Sequence, residues 1–199
     1  MTGSNEVGRI LASTPHKHER ILYFGALLAK ESGSDIIVVG GSAIEVYTRG
    51  KYVSGDVDIR ADRPAVDRVL AKWGFKDHGR LWIRKDWGLA VDVVGDEYSG
   101  DPYRATTVST PYGSVRIAVV EDLFVKRLAA AKHWRVPEAL DEANLLWSGY
   151  RDQMDDAYLS RQASAYHVLD LLNKFRGTGD SSGSHRKPRG SRSRRSRLS

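Results

Sequence analysis

The stretch that decides the fold lies at residues 36–60 and reads IIVVGGSAIEVYTRGKYVSGDVDIR. It begins with an apolar run that ends at Gly40 and Gly41, which is typical of a strand buried on both faces. Residues 42–47 then change to a helical pattern, and residues 53–60 form a second predicted strand. A strand, a glycine turn, a helix and a strand in this order predict an α/β core.

The turn Gly40-Gly41-Ser42 lies where the first predicted strand meets the helix. Glycine has no Cβ, so the backbone can approach a phosphate closely. The helix N-terminus also presents free N–H groups and the positive end of its dipole, and Ser42 adds a hydroxyl. The turn therefore has the composition of a phosphate cradle. A tight strand-to-helix turn without a ligand is the alternative interpretation of these residues.

Asp56 and Asp58 stand two positions apart on the second predicted strand, so both carboxylates are expected on the same face. Two such charges repel by roughly 4 kcal/mol at an effective dielectric constant near 20, which favours a cation between them. Magnesium is bound in proteins through one or two carboxylates plus substrate phosphates, and this geometry suits it. A solvated turn is the alternative interpretation.

Asp92 stands alone in the centre of an apolar run, LAVDVV, at residues 89–94. An ionised carboxylate in a buried strand is costly unless it is paired or bound to a metal. A purely structural role is therefore disfavoured. Taken together, the glycine turn, the pair Asp56 and Asp58, and Asp92 predict a phosphate cradle, two metal carboxylates and a base.

The apolar periodicity predicts further elements on both sides of this core. They are helices at residues 16–30 and 65–73, strands at 75–78, 80–84, 89–94, 104–108 and 114–119, and helices at 121–133, 137–147 and 154–175. The predicted class is α/β (α+β), with a mixed β-sheet flanked by helices and a C-terminal helical cap. The predicted division is a core at residues 1–119, a helical region at 120–176 and a tail at 177–199.

Residues 177–199 carry seven lysines and arginines against Asp180, which accounts for the whole net charge of +6. The segment has no apolar period and is expected to be disordered, since it has almost nothing to bury. Such an arm is attracted to RNA, DNA or another polyanion, because each neutralised phosphate releases counterions. A tail that only improves solubility is the alternative interpretation.

The chain of 199 residues contains no cysteine, which excludes disulfide scaffolds, cysteine-ligated zinc, iron–sulfur clusters and thiol nucleophiles. A cytoplasmic location is expected, because the first residues lack the apolar run of a signal peptide and no segment has the length of a membrane span. The sequence also lacks the P-loop, the H-E-x-x-H and the G-x-S-x-G motifs, which disfavours those enzyme classes.

The order of these motifs resembles that of the DNA-polymerase-beta-type nucleotidyltransferase superfamily. Its pattern is G-[GS], a spacer, D-h-[DE]-h and a third acidic residue on a later strand, and here it covers residues 35–95. A shorter stretch, KRLAAAK at residues 126–132 followed by Glu138 and Asp141, is similar to a segment of AbiEii/MenT-like nucleotidyltransferase toxins. The resemblance implies a minimal nucleotidyltransferase fold and a toxin of a toxin–antitoxin system.

The resemblance also implies a role for each acidic and glycine motif. The turn residues Gly40, Gly41 and Ser42 would hold the triphosphate of an NTP. Asp56 and Asp58 would bind two Mg2+ ions. The third acid of the motif, Asp92, would help to hold one ion and act as the base toward the acceptor hydroxyl.

Outside these motifs, the resemblance implies that Lys126 contacts the nucleotide phosphates and that Asp141 completes the pocket. Glu138 departs from the pattern, since those toxins often have an Arg-Asp pair at its place. Ser54 matches a hydroxyl position beside the metals that can be a regulatory phosphorylation site.

The implied activity is Mg2+-dependent transfer of a nucleoside monophosphate from an NTP to RNA, with a tRNA 3′ end as the favoured acceptor. The protein would then arrest growth and be neutralised by a cognate antitoxin. A protein side chain or a small antibiotic is the alternative acceptor. A silent nucleotide-binding module is a further alternative, although Asp56, Asp58 and Asp92 are all present.

Overall fold

The structure, a computed structural model, describes residues 3–179. The helices are α1 (Ser4–Ser13), α2 (Lys17–Ser32), α3 (Gly40–Tyr47), α4 (Arg63–Lys72), α5 (Val120–Trp134), α6 (Ala139–Tyr150), α7 (Asp156–Ala165) and α8 (Leu169–Gly179). The strands are β1 (Ile37–Val38), β2 (Val57–Arg60), β3 (Lys76–His78), β4 (Leu81–Arg84), β5 (Leu89–Gly95), β6 (Thr106–Thr110) and β7 (Gly113–Ile117). The expectation of disorder is wrong for residues 177–179, which belong to α8, and the rest of the predicted tail, from position 180, lies outside the described residues.

The strands form one seven-stranded sheet in the order β3-β4-β5-β2-β1-β7-β6. β2 pairs with β5 and β1 pairs with β7 in parallel, while the other neighbours are antiparallel. This mixed sheet, with helices around it, confirms the predicted fold class. None of the helices within the described range is both long and apolar enough to cross a membrane.

The centre of the sheet is the apolar core that the sequence pattern predicts. Both residues of β1 are buried, and in β2 the buried Val57 and Ile59 alternate with the half-buried Asp58 and Arg60. Helix α2 packs closely on the sheet at Gly25, where an added Cβ would lie 2.8 Å from Val115 Cγ2. One face of β2 therefore belongs to the core, and the other presents its polar side chains.

Three elements differ from the sequence-based expectations. Helix α1 was not expected. Strand β2 begins at Val57 rather than at residue 53, because the Ser54 N–H donates to a side chain instead of a neighbouring strand. Asp56 therefore precedes the strand. The prediction of a single helix at residues 154–175 is also wrong. Two helices, α7 and α8, occupy this stretch and are separated at His167, whose φ of 56° lies in the left-handed region.

Asp122 on α5 joins the helical region to the sheet domain. It is 3% exposed and accepts hydrogen bonds from the Tyr98 hydroxyl at 2.5 Å and the Tyr158 hydroxyl at 2.8 Å. The Tyr158 oxygen in turn accepts the N–H of Asp101 at 3.2 Å. Burial, together with Asp122, raises the pKa of Tyr158 to about 12, so this phenol remains a donor at neutral pH. The loop after β5, α5 and α7 therefore meet at one buried carboxylate.

We expect Tyr158→Phe to lower the free energy of unfolding by about 2 kcal/mol, because it removes a buried hydrogen bond to a charged acceptor. Urea denaturation of the full chain at neutral pH measures the change. A variant that unfolds at the same urea concentration as the wild type would contradict this role of Asp122.

Candidate active site

Three carboxylates meet on the polar face of the sheet. Asp58 on β2 stands directly opposite Asp92 on β5, because the two parallel strands pair in that register. Asp56 comes immediately before β2. One oxygen from each of the three side chains lies within 4.8 Å of the other two. The structure therefore brings these three residues together, and their roles as metal ligands and base remain predictions.

The electrostatics of this cluster are unfavourable without a cation. Burial raises the pKa of Asp58 from its ordinary 3.8 to about 6, and the nearby Asp56 and Asp92 add to the shift. Burial also raises the pKa of Asp92, while Arg80 opposes the rise, with its Nε lying 3.3 Å from Asp92 Oδ2. Asp92 is only 3% exposed, and its Oδ1 has no hydrogen-bond partner within residues 3–179.

The donor set fits a hard divalent cation. Mg2+ takes oxygen ligands and is commonly held by one or two carboxylates. The buried, unpartnered Oδ1 of Asp92 is the kind of atom that a bound ion would satisfy. Among the residues that the structure describes, this is the one group of three acidic or histidine side chains close enough to hold a metal. Asp56, Asp58 and Asp92 are therefore the residues that could bind Mg2+.

The glycine turn forms the first turn of α3 and lies against the acidic cluster. Gly40 has a φ of +57°, and a Cβ added to it would collide with the Asp58 carboxylate. The Gly41 N–H donates to Asp58 Oδ2 at 3.1 Å. Only glycine fits at position 40, since the backbone is left-handed and the carboxylate is close. The predicted phosphate cradle and the predicted metal ligands are thus adjacent.

Ser42 is fully buried, and its hydroxyl bonds to the backbone. Its Oγ donates to the Val39 carbonyl at 2.9 Å and accepts the Asp58 N–H at 3.1 Å. The side chain thus fastens the end of β1 to β2 and holds the Asp58 backbone. Its contact with a phosphate remains a prediction.

Ser54 lies in the loop between α3 and β2 and is 5% exposed. Its N–H donates to Glu45 Oε2 at 2.7 Å, and its Oγ donates to the Asp56 carbonyl at 2.9 Å. The hydroxyl therefore lies beside Asp56 but is buried and bonded to the backbone. A kinase could reach it only after the loop had opened.

Lys126 lies on α5 and contacts the loop after β5 rather than the aspartates. Its Nζ donates to Ser99 Oγ at 2.7 Å and lies 5.5 Å from the centre of the Tyr98 ring. Burial lowers the pKa of Lys126; Asp122 opposes this effect, and Arg60 adds to it. Lys126 and Arg60 thus supply two neighbouring positive charges, and the role of Lys126 in phosphate binding remains a prediction.

Asp141, which was expected to complete the nucleotide pocket, is exposed in the first turn of α6, and this role remains a prediction. The next residue, Glu142, is buried and has Oε2 3.1 Å from Arg127 Nη1. Burial raises the pKa of Tyr52, and the charges of Glu142 and Asp58 raise this pKa further. The charge of Arg127 acts in the opposite direction. Glu142, Arg127 and Tyr52 therefore share the electrostatic environment of the cluster.

The sequence-based analysis did not single out these three residues. A usable signal was present in α6, where Ala139, Glu142, Ala143 and Leu146 are the buried positions. Their spacing is that of the inward face of an amphipathic helix, and it includes Glu142 but not Asp141. Tyr52 carried no comparable local pattern.

Comparisons with known proteins support the fold. No protein-family model and no curated protein matches the chain. A solved structure that does match is the solution structure of ANT(2'')-Ia, an antibiotic-resistance factor and nucleotidyltransferase. The match has a TM-score of 0.50 and 13% sequence identity, and it covers 81% of this chain and 98% of that chain. At this identity the likeness shows a nucleotidyltransferase fold, and it does not support membership of the toxin subfamily.

We expect the stability of the metal-free protein to fall as the pH rises from about 4 to about 6. In this window folded Asp58 keeps a proton that the unfolded chain releases, because its folded pKa is about 6 against an ordinary 3.8. Asp58→Asn should show a smaller fall, since only the contribution of Asp92 remains, and it should be the more stable protein at pH 7. Urea denaturation in EDTA at several pH values measures the difference, and parallel pH profiles for the two proteins would contradict it.

Proposed function

We propose that this protein is a Mg2+-dependent nucleotidyltransferase that transfers a nucleoside monophosphate from an NTP to a hydroxyl acceptor. One observation carries the proposal: the oxygens of Asp56, Asp58 and Asp92 lie within 4.8 Å of one another beside the glycine turn of α3. Three carboxylates thus lie next to a helix N-terminus, and a metal-bound triphosphate needs a group of each kind. The nucleotidyltransferase fold of the chain agrees with this chemistry.

Different residues of the site would have different roles in the reaction. Asp56 and Asp58 would hold Mg2+, which when bound lowers the pKa of the attacking hydroxyl and neutralises the leaving pyrophosphate. The N-terminus of α3, which begins at Gly40, would bind the phosphates, because the helix dipole favours negative charge there. The Gly41 N–H would contribute once it had left Asp58 Oδ2.

In this proposal Asp92 accepts the proton of the attacking hydroxyl. The acceptor oxygen forms a bond to the α-phosphorus, the bond to pyrophosphate breaks, and the hydroxyl proton passes to a carboxylate oxygen of Asp92. Burial raises the pKa of Asp92, which makes it a stronger base than an exposed aspartate. Its Oδ1, which has no hydrogen-bond partner in the described part of the chain, is free to contact the proton or the ion.

RNA is the acceptor that we propose first, with a tRNA 3′ end as the favoured site. The resemblance of residues 126–141 to toxin sequences supports this acceptor, as do the seven basic residues beyond position 180. The protein would then be a cytoplasmic growth-arresting toxin with a cognate antitoxin. A small-molecule hydroxyl is the second candidate, favoured by the fold likeness to the antibiotic-resistance factor ANT(2'')-Ia.

We expect label from an α-labelled NTP to enter RNA in the presence of Mg2+ and total cellular RNA. Each NTP is tested separately on a denaturing gel, and a parallel reaction offers hydroxyl-bearing antibiotics. Asp56→Ala and Asp58→Ala should each reduce transfer by about 100-fold or more, because each removes a metal ligand. The exposed Asp152→Ala provides a matched control.

Near-normal transfer by either folded cluster variant would contradict the metal assignment. Label in a tRNA-sized band supports the RNA acceptor. Label on an antibiotic alone, with none on RNA, supports the second candidate and removes the toxin role.

Removal of residues 180–199 separates the two acceptors by a second route, since the cut leaves α8 intact. With RNA as acceptor, we expect the truncation to raise the KM for RNA at moderate salt, because seven cationic side chains are lost. Transfer to a small molecule should not change. Equal KM values for RNA at every salt concentration would contradict a role of these residues in RNA binding.

A further inference from the structure

Asp56 is held differently from the other two acids of the cluster. Asp58 and Asp92 lie within paired strands, whose hydrogen bonds fix their backbones. Asp56 precedes β2 and has no strand neighbour in the sheet. Three carboxylates at this distance repel one another, and the loop residue is the one that can most easily move away. Another contact must therefore keep Asp56 in place in the metal-free protein.

The contact comes from an ion pair between a buried glutamate and a partly exposed lysine. Glu45 on α3 is 0% exposed, and its Oε2 accepts the Ser54 N–H at 2.7 Å. Lys17, at the start of α2, has its Nζ 3.4 Å from the same Oε2 and also donates to the Ser54 carbonyl. Glu45 and Lys17 thus hold the N–H and the C=O of one residue, Ser54.

Ser54 passes this restraint to the metal-binding segment. Its Oγ donates to the Asp56 carbonyl at 2.9 Å, which closes a short turn over Gly55. A Cβ on Gly41 would lie 3.0 Å from the Ser54 Oγ, so the turn also packs against the start of α3. The loop is therefore fixed on the side of the phosphate cradle as well.

We propose that Glu45 and Lys17 form a lock on Ser54 that positions Asp56 for metal binding, an inference that rests on the proposed function. The lock keeps Asp56 near Asp58 and Asp92 against their repulsion before any ion arrives. Without it, part of the binding free energy of the ion is spent on ordering the loop, and the affinity falls. Glu45 is thus a positioning residue, since it acts on the ion only through Ser54 and Asp56.

A buried glutamate could also serve stability alone, and the two roles differ in what they change. A purely structural role lowers the free energy of unfolding and leaves metal affinity unchanged. The lock predicts a loss of metal affinity in folded protein. The effect should also depend on the acceptor oxygen, because a glutamine at position 45 can still accept the Ser54 N–H.

The test measures Mn2+ binding to metal-free, full-length protein from the electron paramagnetic resonance signal of the free ion. Glu45→Met replaces the buried carboxylate with an apolar side chain of similar size, and the lysine that it leaves is 41% exposed, so its charge is not stranded in the core. We expect its Kd for Mn2+ to rise about tenfold, the size of effect seen when an outer partner of a metal ligand is removed. Lys17→Met should also raise the Kd for Mn2+. Lys17 is 41% exposed, so its replacement does not disturb the core.

Two further variants serve as controls. Glu45→Gln keeps an acceptor for Ser54 and should retain most of the affinity. Tyr158→Phe removes a buried hydrogen bond in the helical region and should bind Mn2+ as the wild type does, despite its lower stability.

Hydrogen exchange of the amides of residues 54–56, in protein without metal, gives a second readout. Faster exchange in Glu45→Met and Lys17→Met, together with weaker Mn2+ binding, supports the lock. Wild-type Mn2+ affinity or unchanged exchange in both variants overturns it and leaves the proposed function standing. Failure of the wild-type protein itself to bind Mn2+ overturns the proposed metal site, and the lock with it.

Discussion

Crowding of negative charge beside β2 is the constraint on which the rest of this structure depends. Two carboxylates about 4 Å apart repel by roughly 4 kcal/mol at an effective dielectric constant near 20. The protein brings three together and surrounds them with partial compensation, from the Gly41 N–H and the Arg80 guanidinium. The compensation is incomplete, as the raised pKa of Asp58 and the unpartnered Oδ1 of Asp92 show. Such a cluster is costly to stability and is expected where a cation binds.

Another buried acid in the same protein shows what full compensation looks like. Asp122 accepts two phenolic hydroxyls, one on each oxygen, and it joins the helical region to the sheet domain. Glu45 is intermediate: its Oε2 accepts a backbone N–H and faces a lysine, while its Oε1 is buried without a hydrogen-bond partner among the described residues. Asp92 Oδ1 is unpartnered in the same way, but Asp92 also lies beside two further carboxylates. The crowding of carboxylates, and not one unpartnered oxygen, separates the cluster from the acids that hold the fold.

The proposed function specifies a reaction type more closely than an acceptor. One fold hosts many activities, and the substrate is selected by the residues around the site. In this chain, α5 contributes Lys126 beside the loop after β5 and Arg127, whose charge acts on Tyr52 together with that of Asp58. We expect this helical region to distinguish an RNA end from a small hydroxyl compound.

The local pattern of the sequence determined the sheet core, the glycine turn and the three aspartates, because each depends on neighbours within a few residues. An apolar run, a change of period and a lone acid in a strand are all visible along the chain. Tertiary structure alone decided that β2 begins after Asp56 and that the expected last helix divides at His167. It also decided that Glu45 holds Ser54 and that Arg80 meets Asp92. These outcomes depend on contacts between distant segments, and such contacts form only when burial brings their elements together.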